Sequence, residues 1–259
     1  MRDQITKRFL NGMDGLGQVA QLAGESIRSI LARRWESSLV LYQLYFIGIK
    51  SLSVVLITGA FTGMVLAAQT YFQFHKVGMD TATLAVVSIS MCSELGPVLS
   101  ALMVAGRVGA AIAAELGTMK VTEQIDALRT LATHPVDYLV VPRLIATTVA
   151  LPLLTVSSIC VGIAAAYAVG VGLLGIDPAY AWHNMLHYTS VQDVGVGLIK
   201  SVIFGMIIAL VGCYKGLNCP QGAEGVGKAT TEAVVFASIA ILISNFFLTL
   251  LLTRALTQK

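Results

Sequence analysis

Residues 92–131 read CSELGPVLSALMVAGRVGAAIAAELGTMKVTEQIDALRTL, which is apolar at the beginning and polar at the end. The first half is apolar enough to lie in a bilayer, yet it contains Glu94, Arg107 and Glu115. From Lys120 onward the sequence is polar, and VTEQIDAL predicts a short amphipathic helix. A charged membrane segment that leads directly into a polar helix indicates a membrane protein with a partner in the aqueous phase.

The composition of the whole chain also indicates a membrane protein. Of the 259 residues, 56% are hydrophobic and 12% are charged, and the mean hydropathy is +0.79. Soluble domains are usually about 25% charged, so an ordinary soluble domain is excluded. The length suits one helical bundle, and the small net charge of +3 gives no reason to expect nucleic-acid binding.

The amino-terminal region, residues 1–38, is predicted to form an amphipathic helix that lies on the membrane surface. Its apolar residues recur every three or four positions, with polar and basic residues mainly between them. Packing of the same face on a soluble partner is the alternative. The apolar positions are Ile5, Phe9, Met13, Leu16, Ala20, Ala23, Ile27 and Ile30.

Residues 39–259 are predicted to form a membrane domain with five transmembrane helices, because about 20 apolar residues suffice for one span. The fold class is therefore an all-α integral membrane protein. Residues 39–50 are expected to form an elbow that enters the bilayer. Residues 177–193 are predicted to form an interfacial loop or short helix, and residues 214–230 a glycine-rich loop. The predicted spans are residues 51–70, 82–105, 144–167, 194–213 and 233–253.

The distribution of basic residues predicts the orientation. Lys and Arg are enriched in cytoplasmic segments, and an orientation with the N-terminus inside places most of the 17 there. This topology puts the helix between spans two and three in the cytoplasm and the C-terminus outside. The basic residues not assigned to the cytoplasm are Lys76, Lys200, Arg254 and Lys259.

Glu94 is the most informative single residue of the sequence. A carboxylate near the middle of a membrane costs several kcal/mol unless it is paired, hydrated or protonated. Arg107 is about 20 Å away along one helix, so Glu94 needs a partner on another helix or a wet cavity. Lys200 lies within another span and is the candidate partner. A functional role and a structural role of Glu94 are equally compatible with the sequence.

Other motifs have simpler explanations. Arg107 and Glu115 flank a run of small residues and are predicted to be structural charges where helices cross closely. Gly59 and Gly63 form a GxxxG pattern that permits close helix packing. GAEGVGK, residues 222–228, matches the consensus of a phosphate-binding loop but has Ala229 where Ser or Thr must bind magnesium, and no strand precedes it.

The sequence also argues against metal binding and catalysis. His183 and His187 could share one helix face, but no acidic or Cys residue is adjacent, so a hydrated pair is the preferred interpretation. The four cysteines have no metal-ligand spacing and are expected to be free thiols. No nucleophile is placed beside a base, so we expect no enzymatic activity in this chain.

Four motifs resemble the MlaE/YrbE permease family, the membrane subunits of ABC transporters that carry lipid together with MCE-domain proteins. They are ELGPV at 94–98, AGRVG at 105–109, AELGTM at 114–119 and TEQIDAL at 122–128. The similarity extends from about residue 40 to the C-terminus, so residues 39–259 are expected to form a five-span permease domain.

The resemblance implies an ATP-driven phospholipid transporter that maintains the lipid asymmetry of the outer membrane. Two copies of the chain would form a core in the bacterial inner membrane. Each copy would bind a cytoplasmic ATPase, which holds the ATP and magnesium, so this chain needs no cofactor. A small STAS-domain protein would accompany the ATPase, and a periplasmic MCE-domain hexamer would receive or deliver phospholipid.

The resemblance also implies roles for individual residues. The coupling helix that docks on the ATPase corresponds to Thr122, Glu123, Gln124, Ile125, Asp126, Ala127 and Leu128. A lipid pocket would be lined by spans one and two at the centre of the dimer, and Ser93 stands where some relatives have an Arg. The implied lipid-contacting residues are Leu66, Phe74, Val77, Ser93 and Leu95.

Two other classes of function remain open from the sequence. One is a passive scaffold that anchors an MCE protein in the membrane. The other is an ion-coupled secondary carrier that uses Glu94 and Lys200. Inverted repeats would favour the carrier, and the five predicted spans contain none.

Overall fold

The computed structural model describes residues 2–33, 35–76 and 78–257 and shows only helices and their connections over these ranges. Side chains are described for these residues except 2–14, 16, 253 and 255–257. Five of the described helices are long and apolar enough to cross a membrane. The helices are α1 Arg2–Leu31, α2 Ser37–His75, α3 Asp80–Val121, α4 Gln124–Thr130, α5 Val136–Gly172, α6 Pro178–Tyr188, α7 Val191–Leu217 and α8 Gly222–Thr257.

The number of spans agrees with the sequence prediction, but the helices are longer. The elbow predicted for residues 39–50 is helical and belongs to α2, with one π-helical turn at Tyr45–Ile49. Span two was predicted to end at residue 105, whereas α3 continues to Val121. Ile112 and Leu116 are buried in this added segment, so packing sustains a helix that hydropathy alone does not predict.

The glycine-rich loop predicted for residues 214–230 is wrong. Helix α7 continues to Leu217 and α8 already begins at Gly222, so GAEGVGK forms the first turns of a helix. Gly222 has a φ of +84°, which favours glycine. Gly225 lies so close to the carbonyl of Pro220 that a Cβ would collide with it. These glycines therefore allow a short connection between two helices.

The described chain divides into two compact units. The first comprises Met1–Leu44, Ala105–Thr147 and Met206–Ala237, and the second comprises Tyr45–Val104, Thr148–Gly205 and Ser238–Lys259. In the first unit, Gly212 and Gly216 of α7 lie against α3, where a Cβ on either would touch Ile112 or Leu116. Small residues thus bring the two helices together.

In the second unit, α2 packs on α5 through the GxxxG motif. A Cβ on Gly59 would collide with Ser158, and one on Gly63 would collide with the backbone of Gly162. The GxxxG motif is therefore used within the chain. Nearby, Leu84, Met91 and Met185 belong to a buried apolar cluster that joins α3, α5 and α6.

The buried face of α1 differs from the apolar face that the sequence predicts. Leu22, Ser26 and Ser29 are buried in the first unit, whereas Ile27 is 56% exposed. The predicted positions Ile5, Phe9, Met13 and Leu16 lie outside the described side chains. Over the described part, the face of α1 that protein covers therefore contains one leucine and two serines, and Ile27 is left uncovered.

Candidate functional site

An ion pair between Glu94 and Lys200 forms the centre of the second unit's polar cluster. Lys200 Nζ lies 2.6 Å from Glu94 Oε1. Glu94 lies in a π-helical turn of α3, Met91–Leu95, and Lys200 projects from α7. The Lys200 side chain is fully buried, while the Glu94 side chain is 35% exposed. The partner for Glu94 that the sequence indicates is therefore its partner in the structure.

The Lys200 ammonium group has three acceptors for its three protons. Besides Glu94, it donates to the carbonyl of Ser93 at 3.1 Å and to Thr249 Oγ1 at 2.9 Å. Asn245 Nδ2 donates to Glu94 Oε2 at 3.1 Å, so both carboxylate oxygens accept hydrogen bonds. A buried ammonium group is tolerated when it is paired and fully hydrogen-bonded in this way.

This cluster contains two residues that sequence reasoning missed, Asn245 and Thr249 of α8. Thr249 Oγ1 lies 2.9 Å from Glu94 Oε1 and 2.8 Å from the carbonyl of Asn245. Their only signal in the sequence is that they are polar residues four positions apart within an apolar span. The cluster thus ties α3, α7 and α8 together, and the Glu94 side chain remains partly exposed.

The structure describes four of the five predicted lipid-contacting residues, and their surroundings differ. Leu66 and Leu95 pack against the buried apolar cluster. Ser93 Oγ donates to the carbonyl of Ile89 at 2.8 Å, Phe74 is half-buried near the end of α2, and Val77 lies outside the described residues. Their contact with lipid stays a prediction.

The segment predicted to be the coupling helix is helical, but its helix begins later than the sequence indicates. Thr122 and Glu123 form the turn between α3 and α4, because Glu123 adopts a left-handed conformation with φ of 59°. Helix α4 then runs from Gln124 to Thr130, and its Ile125 is buried. Gln124, Asp126 and Ala127 are exposed. Helix α4 is therefore anchored by one apolar side chain and presents a polar outer face.

The predicted structural charge Glu115 pairs with Arg143, a pairing that the sequence does not predict. Arg143 Nη2 lies 2.9 Å from Glu115 Oε2, and Arg143 Nη1 donates to the carbonyl of Leu139 at 2.7 Å. Glu115 lies on α3 and Arg143 on α5, so the pair fixes the two helices that flank α4. Arg107 lies in a π-helical turn of α3, Ala105–Gly109.

Neither histidines nor cysteines form a metal centre in the described part of the chain, where no group of three potential ligands was found. The rings of His183 and His187 stack with centroids 5.8 Å apart. All four cysteines are free, and Cys160 is the exposed one. Cys219 lies in the connection between α7 and α8, and burial raises the pKa of its thiol above the ordinary value.

Fold and site together define a multi-pass helical membrane protein with a paired charge within its spans and an exposed helix between two of them. The family model described as Permease MlaE matches residues 40–251. The chain therefore belongs to the MlaE permease family.

Curated relatives agree with this assignment. The chain is 44% identical over 247 residues to a "Probable ABC transporter permease protein" of Rickettsia felis, covering 95% of each chain. It is 36% identical over 218 residues to the "Intermembrane phospholipid transport system permease protein MlaE" of Haemophilus influenzae, covering 84% of each chain. It is 38% identical over 227 residues to the chloroplastic protein TRIGALACTOSYLDIACYLGLYCEROL 1 of Arabidopsis thaliana, covering 88% of this chain and 65% of that protein.

Proposed function

We propose that this chain is the transmembrane permease subunit of an ATP-driven transporter that moves phospholipid between the inner and outer membranes. The observation that carries the proposal is α4, a short helix anchored by Ile125 with an exposed polar face. A permease without a nucleotide site needs such an element to receive work from an ATPase. The names of the relatives from Rickettsia felis and Haemophilus influenzae support ABC transport and phospholipid as the substrate.

The proposed assembly is a homodimer with one cytoplasmic ATPase on each copy. The ATPase holds ATP and magnesium and is accompanied by a STAS-domain protein. A periplasmic MCE-domain hexamer completes a path for phospholipid across the periplasm. The chain lies in the bacterial inner membrane with its N-terminus in the cytoplasm, as the distribution of Lys and Arg indicates. The uncovered Ile27 of α1 suits a helix on the membrane surface.

The contacts of α4 indicate how a push from the ATPase would enter the permease. Helix α4 follows α3 after a two-residue turn, and α5 begins a few residues after α4 ends. The Glu115–Arg143 pair connects α3 to α5 on either side of α4, and Ile125 holds α4 in the same unit. A displacement of α4 would therefore move the adjoining ends of both spans together.

The Glu94 cluster suits a transporter whose substrate is mostly apolar. Its two charges pair with each other, so neither the ammonium group nor the carboxylate is an unpaired charge in the hydrocarbon. The partly exposed Glu94 side chain can accept hydrogen bonds from a polar group that passes through the membrane. The cluster also holds α8 against α3 and α7, and this gives the permease a defined core around which spans can move.

Charge reversal on the exposed surface of α4 tests the proposal. The double variant Glu123→Lys/Asp126→Lys should lose copurification with the ATPase and lose phospholipid transport in vesicles. Glu224→Lys is the matched control, because Glu224 is also exposed but lies on α8. If the double variant keeps both ATPase binding and transport, α4 is not the coupling helix.

The same preparations distinguish the two alternative functions. A passive scaffold predicts that the complete complex hydrolyses no ATP and moves no lipid. An ion-coupled carrier, for which the Glu94–Lys200 pair is the motivating observation, predicts transport without any ATPase that stops when the proton gradient is dissipated. The ATP-driven permease predicts the opposite result in both measurements.

A further inference from the structure

An apolar groove of about 560 Å³ lies between α5 and α6 in the second unit. One stripe of α5 forms its long wall, with residues that recur at helical spacing. None of the described side chains that line the groove is charged. We infer that this groove binds one acyl chain of a membrane lipid, at a position separate from the predicted lipid-contacting residues. The α5 stripe consists of Val156, Cys160, Ile163, Ala164 and Tyr167.

The length of the groove matches one leaflet of a bilayer. Val156 and Tyr167 are eleven residues apart, which corresponds to ~16 Å along a helix. The hydrocarbon core of a membrane is about 30 Å thick, so the groove extends through about half of it. This is the depth that one acyl chain reaches from the headgroup region toward the middle of the bilayer.

The two ends of the groove differ in the way that a lipid requires. At one end, the rings of Tyr167 and Trp182 meet edge to face with centroids 6.1 Å apart. Tyr and Trp are favoured at membrane interfaces because they have an apolar body and a polar tip. At the same end, Thr189 Oγ1 donates to Ser88 Oγ at 2.8 Å. At the other end, the groove is lined by the apolar side chain of Val156.

The groove has a solid floor and an open side. Cys92, Ile159 and Met185 are buried and form the floor, whereas Cys160 and Ala164 are exposed. All of α5 around this position is part of a membrane span, so the open side faces hydrocarbon. On the proposed topology, α6 is on the side opposite the cytoplasm, and the acyl chain enters from the outer leaflet.

A helix of a second copy or of another membrane protein is about 10 Å wide, so it would lie across the open side of the groove at Cys160 and Ala164. A single hydrocarbon chain is narrow and flexible enough to reach the buried floor at Ile159 and Met185. There it gains dispersion contacts with the lining, and this favours an acyl chain as the occupant.

Photocrosslinking to lipid tests the inference with the full-length chain in vesicles of phosphatidylethanolamine and phosphatidylglycerol. The probe is a phosphatidylethanolamine with a photoreactive diazirine in one acyl chain. Crosslinks to residues 156–167 are compared with crosslinks to Phe246 and Phe247, which are exposed on α8 and report general lipid contact. In the unaltered chain, the yield at residues 156–167 should exceed the yield at the α8 reference.

Ala164→Phe should lower the groove crosslink several-fold and leave the α8 reference unchanged. Ala168→Phe is the matched control, because Ala168 is exposed one turn further along α5 and lies outside the groove lining. Cys160→Phe fills the groove at a second position and provides the test if Ala164→Phe does not fold. None of these three variants alters a residue of the Glu94 cluster or of α4, so the proposed transport function is tested separately.

Three results would overturn the inference. The first is an equal yield at residues 156–167 and at the α8 reference, which means ordinary lipid contact only. The second is an unchanged groove crosslink in both filled variants. The third is a shift in oligomeric state caused by Ala164→Phe and not by Ala168→Phe, which means that a second copy occupies this face.

Discussion

Lys200 and Glu94 are 106 residues apart in sequence and form an ion pair of 2.6 Å in which the ammonium group is fully buried. The pair requires α3 and α7 to meet at one level of the second unit. Each charge makes the other tolerable in a low-dielectric environment, because an unpaired buried charge is far more costly than a paired one. The pair is thus a constraint on how the spans assemble.

Removing Lys200 alone should destabilise the protein more than removing both charges. Lys200→Met leaves Glu94 without its cation; because the Glu94 side chain is 35% exposed, we expect the loss to fall below the about 3–5 kcal/mol typical of a fully buried pair. The double variant Lys200→Met/Glu94→Gln should recover a large part of this loss. Thermal unfolding in detergent measures both, and equal stability of the single and double variants would contradict the pairing argument.

The Glu115–Arg143 pair should matter for coupling. Glu115 is 45% exposed but Arg143 only 9%, so loss of the carboxylate leaves a nearly buried guanidinium without its anion. Glu115→Gln keeps an oxygen that can accept from Arg143; we expect it to lower the melting temperature and to reduce the phospholipid transported per ATP hydrolysed. The measurement compares transport and hydrolysis in one reconstituted complex. A proportional loss of both activities would show that the pair does not connect α4 to the spans.

The stability of α4 should be sensitive to shortening of the Ile125 side chain, which anchors it. Ile125 is 1% exposed, and Ile→Ala in a well-packed site costs about 2–5 kcal/mol. Ile125→Ala should release α4 locally, with faster hydrogen exchange at residues 122–131 and weaker ATPase binding. Ile243→Ala makes the same change at an exposed position of α8 and should leave both unchanged. Unaltered exchange in Ile125→Ala would mean that other contacts hold α4.

The close approach of α2 and α5 should tolerate no side chain at Gly63. A Cβ there would collide with the backbone of Gly162, which cannot move as a flexible side chain can. Gly63→Ala should destabilise by about 1–3 kcal/mol through overpacking. Gly227→Ala, with open space around its Cβ position, should be neutral or stabilise α8 by up to about 1 kcal/mol. Similar unfolding temperatures for the two variants would exclude this close contact.

Thiol labelling should single out Cys160 in the folded protein. It is exposed, whereas Cys92, Cys213 and Cys219 are buried. Cys219 lies outside the spans, and its raised pKa keeps less of the reactive thiolate at neutral pH. A small apolar maleimide in detergent should therefore modify one thiol per chain, and Cys160→Ser should abolish the reaction. Labelling of Cys219 at a similar rate would show that it is accessible.

The sequence by itself determined the class of the protein and its five spans. Hydropathy measures the cost of placing each residue in hydrocarbon, and that cost is a property of the residue rather than of its neighbours. The cost of placing the Glu94 carboxylate in hydrocarbon likewise predicts a cation as its partner, and Lys200 is a cation within another span. The family motifs likewise depend on residue order alone.

Only the tertiary structure decided where the helices end and which faces meet. Helix α3 continues past residue 105 because Ile112 and Leu116 are buried, and α4 begins after Glu123 because the chain turns there through a left-handed conformation. The Glu115–Arg143 pair, the contact of Gly63 with Gly162 and the groove beside α6 depend on residues that are distant in sequence. Packing is a property of pairs of surfaces, so no sum over single residues can predict it.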